Sequence, residues 1–131
     1  MGGYKDFSKM PVWQKAFRLF QLVFAIAKRL PKEYKYGLAN QLIDAGISVP
    51  GNIAEGFGRR HSKDKNQFYT ISRASNMEIR SHTLCVEAMG ECTAEERKEI
   101  IDLSEDIQWD LNSIIQSLDR SISKATTRKD Q

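Results

Sequence analysis

A proline and a glycine, Pro50 and Gly51, stand in the middle of a stretch that otherwise reads as helix from Gly37 to Arg60. Leu38, Leu42, Ala45, Val49, Ile53 and Phe57 recur at spacings of three and four. That is the stripe of a helix with one face in a core. Gln41, Ser48, Asn52, Glu55 and Arg59 form a second, polar stripe beside it. An interior proline removes one backbone hydrogen bond and crowds the carbonyl four residues back, costing about 3 kcal/mol or more. Here that residue is Gly46, and Ser48 and Asn52 stand close by as partners for the freed groups. The spacing predicts one helix kinked at the proline. A break into two shorter helices is the alternative.

The remaining stretches are helical by the same test. Val12, Ala16, Leu19, Val23, Ile26 and Leu30 form a stripe that Trp13, Phe17, Phe20, Phe24 and Ala27 widen. A face that broad calls for more than one neighbouring helix, or for a second subunit. Pro11 suits a first helical turn, with Ser8 as its expected cap. A short linker, Pro31 to Gly37, leads into the central stretch. A third helix is expected from about Lys63 to Met89, capped by Ser62, with Phe68, Ile71, Ser75, Glu78, His82, Cys85 and Met89 along one line. Gly90 stops it. Thr93 and Glu96 make a capping box. Ile100, Leu103, Ile107, Leu111, Ile114, Leu118 and Ile122 then continue as one seam.

No segment alternates as a strand would. Four amphipathic helices with short connections predict an all-α fold, an antiparallel up-down-up-down four-helix bundle with a proline-kinked second helix. The expected division is a flexible lead over 1–10, the bundle over 11–123 and a disordered basic tail over 124–131.

At 131 residues the chain is long enough for one domain with a real core. No apolar run approaches the roughly 20 residues of a membrane span, so no membrane partner is expected. The N-terminal stretch does not read as a secretory leader. Cys85 and Cys92 make no disulfide framework, and a cytoplasmic location is expected. Net charge is only +3, but residues 1–60 hold ten Lys and Arg against four acids. Residues 87–110 hold nine acids against Arg97 and Lys98. This asymmetry fits an anionic partner, or the basic part of one copy meeting the acidic part of another.

Two groups of residues invite a functional reading. Gln41, Ser48, Asn52 and Glu55 on the second helix, with Ser75 and Glu78 on the third, are expected to pair as a buried polar network, because unpaired buried polar groups cost a few kcal/mol each. Such a network can fix register and kink. The same carboxylates, with His82, also admit acid–base chemistry or a metal site at Glu55, Glu78 and His82. Metal sites in bundles usually carry Glu-x-x-His pairs on two helices, and here Glu78 and His82 are four apart, so no catalytic residue and no cofactor is assigned. The second group is basic: Arg59, Arg60, Lys63, Lys65 and Arg73, with His61 and Arg80. Nucleic-acid binding needs such cations to track phosphates. Lys28, Arg29, Lys32 and Lys35 form another cluster at the first inter-helix turn, at the opposite end of an antiparallel bundle. Trp109 falls among polar residues of the fourth helix, where it either meets a partner or covers the N-terminal lead.

Val12 to Ala16 (VWQKA), Leu30-Pro31, Gln41-Leu42, Ser48 to Arg59 (SVPGNIAEGFGR), and Phe68 with Ser75 and Glu78 together resemble the 23S ribosomal RNA intervening sequence proteins, also called bacterial four-helix bundle proteins. Ser72 and Ala74 depart from the more usual Ala and Gly. The resemblance implies an antiparallel bundle assembled as a ring-like homopentamer. Together with the charge asymmetry and the wide apolar faces, it leads to the expectation of a non-enzymatic scaffold or adaptor that contacts RNA, or an RNA–protein partner, through basic surface. A related branch consists of accessory proteins that bind a reverse transcriptase, so a protein–protein accessory module is the alternative.

Overall fold

A computed structural model of the chain describes residues 3–130; Met1 and Gly2 of the expected lead and Gln131 of the expected tail lie outside the described residues. Four helices carry the fold: α1 (Pro11–Ala27), α2 (Asn40–Gly58), α3 (Ser62–Ala88) and α4 (Ala94–Asp130), with no strand among the described residues. Each packs on its neighbours in the order α1, α2, α3, α4 and back to α1. This is an all-α antiparallel four-helix bundle. Among the described residues no helix is long and apolar enough to cross a membrane.

The lead is not loose where it is described. Asp6 accepts the backbone N–H and the hydroxyl of Ser8, which closes a 3-10 turn at Phe7–Lys9. Ser8 therefore does not cap α1, which opens on Pro11 after Met10 with no side-chain cap. Met10 is buried, and Phe7 meets Trp13 edge-on at 5.2 Å. Between α1 and α2 lie a 3-10 turn at Lys32–Tyr34 and a single π turn at Lys35–Ala39.

One helix passes through Pro50, which is itself buried. Leu42, Ala45, Val49 and Ile53 lie in the core, with Leu38 and Phe57 half-buried at its ends. Apolar burial on α1 and α3 supplies what the proline costs. Gly46 lies against Phe20 and Val23, where an added methyl would touch both at 3.4 Å. Gly56 allows a closer approach still. A Cβ there would lie 2.9 Å from the ring of Tyr69 on α3, a fully buried side chain.

Helix α3 departs from its expected reading twice. Its cap position is His61, with no side-chain cap, and Ser62 is already helical. Its buried line is Tyr69, Ser72, Asn76, Ile79, Thr83 and Val86, displaced by one residue from the expected line through Phe68, Ser75 and His82. The displacement has a physical cause. The polar members of the true line are all bonded internally, so they are stable in the core. Ser72 Oγ donates to Val49 O at 2.8 Å, Asn76 Nδ2 to Ser104 O at 2.8 Å, and Thr83 Oγ1 to Ile79 O at 2.7 Å. Ser104 Oγ returns a bond to Asn76 Oδ1 at 2.8 Å. Gly90 ends the segment at φ +79, the left-handed conformation that favours glycine.

Helix α4 opens on the expected capping box. Glu96 N–H donates to Thr93 Oγ1 at 3.1 Å, and Thr93 N–H donates to Glu96 Oε1 at 3.0 Å. The helix does not end near Ser123 but continues to Asp130. Ser121, Thr126 and Thr127 each donate a hydroxyl to the carbonyl four residues back. Those hydroxyls need no water-facing turn to be satisfied, and the extension stays helical.

The α1–α4 seam is ionic. Lys15 pairs with Asp106 at 3.1 Å and Asp110 at 2.8 Å, Arg18 with Glu99 at 3.2 Å, and Arg29 with Glu96. The bond from Arg29, together with the capping bond from Thr93, holds the Glu96 carboxyl down at about 2. A carboxyl lowered in the folded state adds stability that is complete above its unfolded value near 4.5 and is lost as pH falls toward 2. Replacing Arg29 by Met is therefore expected to lower stability at pH 6 by no more than about 1 kcal/mol, since the pair is partly exposed. It should also flatten the loss between pH 5 and pH 2. Urea titrations at several pH values measure both.

Candidate functional site

The basic residues expected to act together are built into the α2–α3 turn in different ways. Helix α2 ends at Gly58, where the N–H of Arg59 closes on Gly56 O at 3.3 Å. The guanidinium of Arg59 lies 4.6 Å from the centre of the Phe68 ring and 3.3 Å from Glu55 Oε2. Arg60 and Lys63 are exposed beside it. Lys65 turns inward, donating to Gly56 O at 3.1 Å and Phe57 O at 2.9 Å. It satisfies two carbonyls of the α2 C-terminus, and burial lowers its pKa. Arg73 is spent on Asn112 of α4 at 3.0 Å. Of the five expected cations, Arg60 and Lys63 thus present charge at one end of the bundle, beside Arg59, whose guanidinium is shared with Glu55. A cleft of about 390 Å³ opens beside them, lined by His61, Ser62 and Lys63 with Ser121, Ile122 and Thr126 of α4.

The expected polar network forms around its small members alone. The hydroxyls of Ser48 and Ser75 meet across α2 and α3 at 2.7 Å, and Asn52 Nδ2 donates to Ser48 Oγ at 2.9 Å and Ser48 O at 2.8 Å. Gln41 is exposed. Glu55 and Glu78 do not join, because each carboxylate is exposed and meets an arginine or an imidazole four residues on. Glu55 pairs with Arg59 (3.3 Å), and Glu78 Oε2 lies 3.6 Å from His82 Nε2. Among the described residues no three His, Cys, Asp or Glu side chains cluster as metal ligands, so Glu55, Glu78 and His82 are not brought together. The buried polar layer is instead Ser72, Asn76 and Ser104, with Arg80 Nε donating to Ser104 Oγ at 2.9 Å and its Nη2 to Gln108. Sequence reasoning missed this layer, although the 3.6 period through Ile79 and Val86 does pass through Asn76 and Ser72.

Apolar surface remains uncovered on two sides. Phe17, Phe24 and Ile47 are exposed by 45, 40 and 57% on the outer side of α1 and α2. Met77, Leu84 and Trp109 are exposed by 46, 53 and 74% on the outer side of α3 and α4. Trp109 does not cover the lead, because Tyr4 and Met10 lie instead along Asp110, Ser113 and Ile114.

The structure is a closed four-helix bundle with surface cations at one end and apolar side chains exposed on two outer faces. The chain belongs to the 23S rRNA-intervening sequence protein family, whose model matches residues 8–113, from the first 3-10 turn into the middle of α4. No curated protein matches the chain.

Proposed function

We propose that the protein is a non-enzymatic scaffold that associates with copies of itself through its outer apolar faces. It meets RNA, or an RNA–protein partner, through Arg59, Arg60 and Lys63. The observation that carries this reading is the apolar surplus on two opposite sides. Large exposed apolar patches mark interaction surfaces. The α1–α2 side and the α3–α4 side differ in composition, so a contact between them is head-to-tail, and head-to-tail contacts close into rings when the rotation allows. A homopentamer, as the family resemblance implies, is such a ring. The charge asymmetry of the sequence is met largely within one copy, where Lys15, Arg18 and Arg29 pair with acids of α4, so the apolar faces carry the reading.

Light scattering tests the assembly. A pentamer has about five times the 15.0 kDa chain mass. A charge in the middle of the apolar face, Ile47→Asp, is expected to return the mass to that of one chain without loss of helix, because Ile47 is exposed in the single chain. A wild-type protein that stays at single-chain mass at tens of micromolar ends this reading. Alanine at Arg59, Arg60 and Lys63 is expected to weaken RNA retention, and unchanged retention removes that site. The exposure of Trp109 favours a second reading, docking of a protein such as a reverse transcriptase. Pull-down from lysate with and without nuclease separates the two.

A further inference from the structure

The π turn at Lys35–Ala39 sits beside a second basic feature, at the end of the bundle away from Arg59. A cleft of about 320 Å³ opens there between the end of α1 and the start of α2. Lys28, Lys32, Lys35 and Asn40 line it, over an apolar floor that includes Ala27 and Ile43. Among the described residues none of the three lysines is paired with a carboxylate, although Arg29 next in sequence is paired with Glu96. The one acid in this linker, Glu33, leaves the local balance positive. Beside the cleft stands Tyr36, 84% exposed, with the Lys35 ammonium 5.6 Å from its ring centre.

These parts share one chemistry. Three unpaired ammonium groups around a concave site attract phosphate oxygens, and an aromatic ring standing in water offers a stacking surface for a base. The volume lies at the lower end of small-ligand sites, which suits one nucleotide unit. An acidic helix would use the charge but neither the apolar floor nor the ring. Single π turns recur at functional sites, and this one carries both Lys35 and Tyr36.

We propose that this corner is a nucleotide-binding site, in which Lys28, Lys32 and Lys35 hold the phosphate and Tyr36 stacks on the base. The unit bound is either a free nucleotide or one residue of a single-stranded RNA. The site does not depend on the Arg59 end touching RNA.

Fluorescence anisotropy of a labelled twelve-residue single-stranded RNA, titrated with full-length protein at several salt concentrations, tests it. Unlabelled ATP and a poly-glutamate of equal length serve as competitors. Lys32→Ala/Lys35→Ala is expected to weaken binding by about tenfold and to reduce the salt slope by about 1.4, two phosphates at 0.7 each. Tyr36→Ala is expected to cost roughly five- to a hundredfold, while Tyr36→Phe, which keeps the ring, changes nothing measurable. All three residues are exposed, so helix content should be unchanged by circular dichroism. Competition by ATP at micromolar concentration supports a free nucleotide, and RNA binding that ATP does not disturb supports the strand. The proposal fails if neither probe binds, if poly-glutamate competes as well as RNA, or if the Lys32, Lys35 and Tyr36 variants bind like wild type. In that last case, loss of binding in the Arg59, Arg60 and Lys63 variant would leave the proposed function standing without this site.

Discussion

Replacing Tyr69 by Ala is expected to lower stability by about 3–5 kcal/mol, the cost of removing a buried aromatic ring from a core that relaxes only in part. Tyr69 is fully buried and seated directly beneath Gly56 of α2. The effect can be read from the other helix as well. Gly56→Ala places a methyl 2.9 Å from a rigid ring, and overpacking of this kind costs about 1–3 kcal/mol. Tyr69→Phe runs the other way. The phenol hydroxyl has no hydrogen-bond partner among the described residues, so removing it should stabilise the fold by about 1 kcal/mol. Burial also pushes the Tyr69 phenol up to about 12 from its ordinary value of 10.0. Between those two values the unfolded chain loses this proton first, so wild-type stability falls as pH rises from 10 toward 12, by up to about 2–3 kcal/mol. In the Phe variant that part of the fall is absent. Urea titrations at pH 7 and across the alkaline range measure all four effects, and a Phe variant less stable than wild type would remove the account of the hydroxyl.

Replacing Asn76 by Leu is expected to cost about 2–4 kcal/mol, because it breaks a layer whose members satisfy one another. Asn76 and Ser104 exchange two bonds at 2.8 Å, both are fully buried, and Arg80 adds a third bond to the Ser104 hydroxyl. The single variant strips Ser104 of its principal partner and leaves a buried hydroxyl short of bonds. Changing both residues, Asn76→Leu with Ser104→Ala, removes the Ser104 hydroxyl together with its acceptor Asn76 Oδ1 but leaves Arg80 Nε without the Ser104 hydroxyl, so it should recover only part of the loss. A double-mutant cycle with a coupling below about 0.5 kcal/mol would falsify the claim that these two residues act as a unit.

Helix α2 was legible in the sequence because its stripe is strong. Six apolar positions at helical spacing outweigh one proline, and Val49 and Ile53 lie fully buried on either side of it. Helix α3 was legible as a helix but not in its facing. Its core line contains Ser72, Asn76 and Thr83, and hydrophobicity alone assigns such residues to the surface. Ser72 and Asn76 find their acceptors on α2 and α4, which no local pattern displays, while Thr83 bonds back to Ile79 O of its own helix. The cations failed to stay together for a related reason. Lys65 and Arg73 carry the same charge as Arg60 and Lys63, but their long side chains reach bare carbonyls and an amide on other segments. The polar stripe of α2 divided by size. Ser48 and Asn52 are short enough to close bonds between helices, whereas Glu55 extends past the contact to Arg59. Trp109 stood out in the sequence for the right reason, since its neighbours on α4 are acids and amides and it remains in water.

The rungs joining α1 to α4 have one more implication. They run from Lys15 to Arg29 and are charged at every step, whereas the α2–α3 contact is held by Tyr69 under Gly56 and by hydroxyl bonds. Dissolved electrolyte weakens the first kind of contact and leaves the second nearly untouched. The molecule therefore resembles a book with a sewn spine at α2–α3 and a clasp at α1–α4. Concentrated brine loosens the clasp first, and amide protons of α1 should exchange sooner there than those of α3.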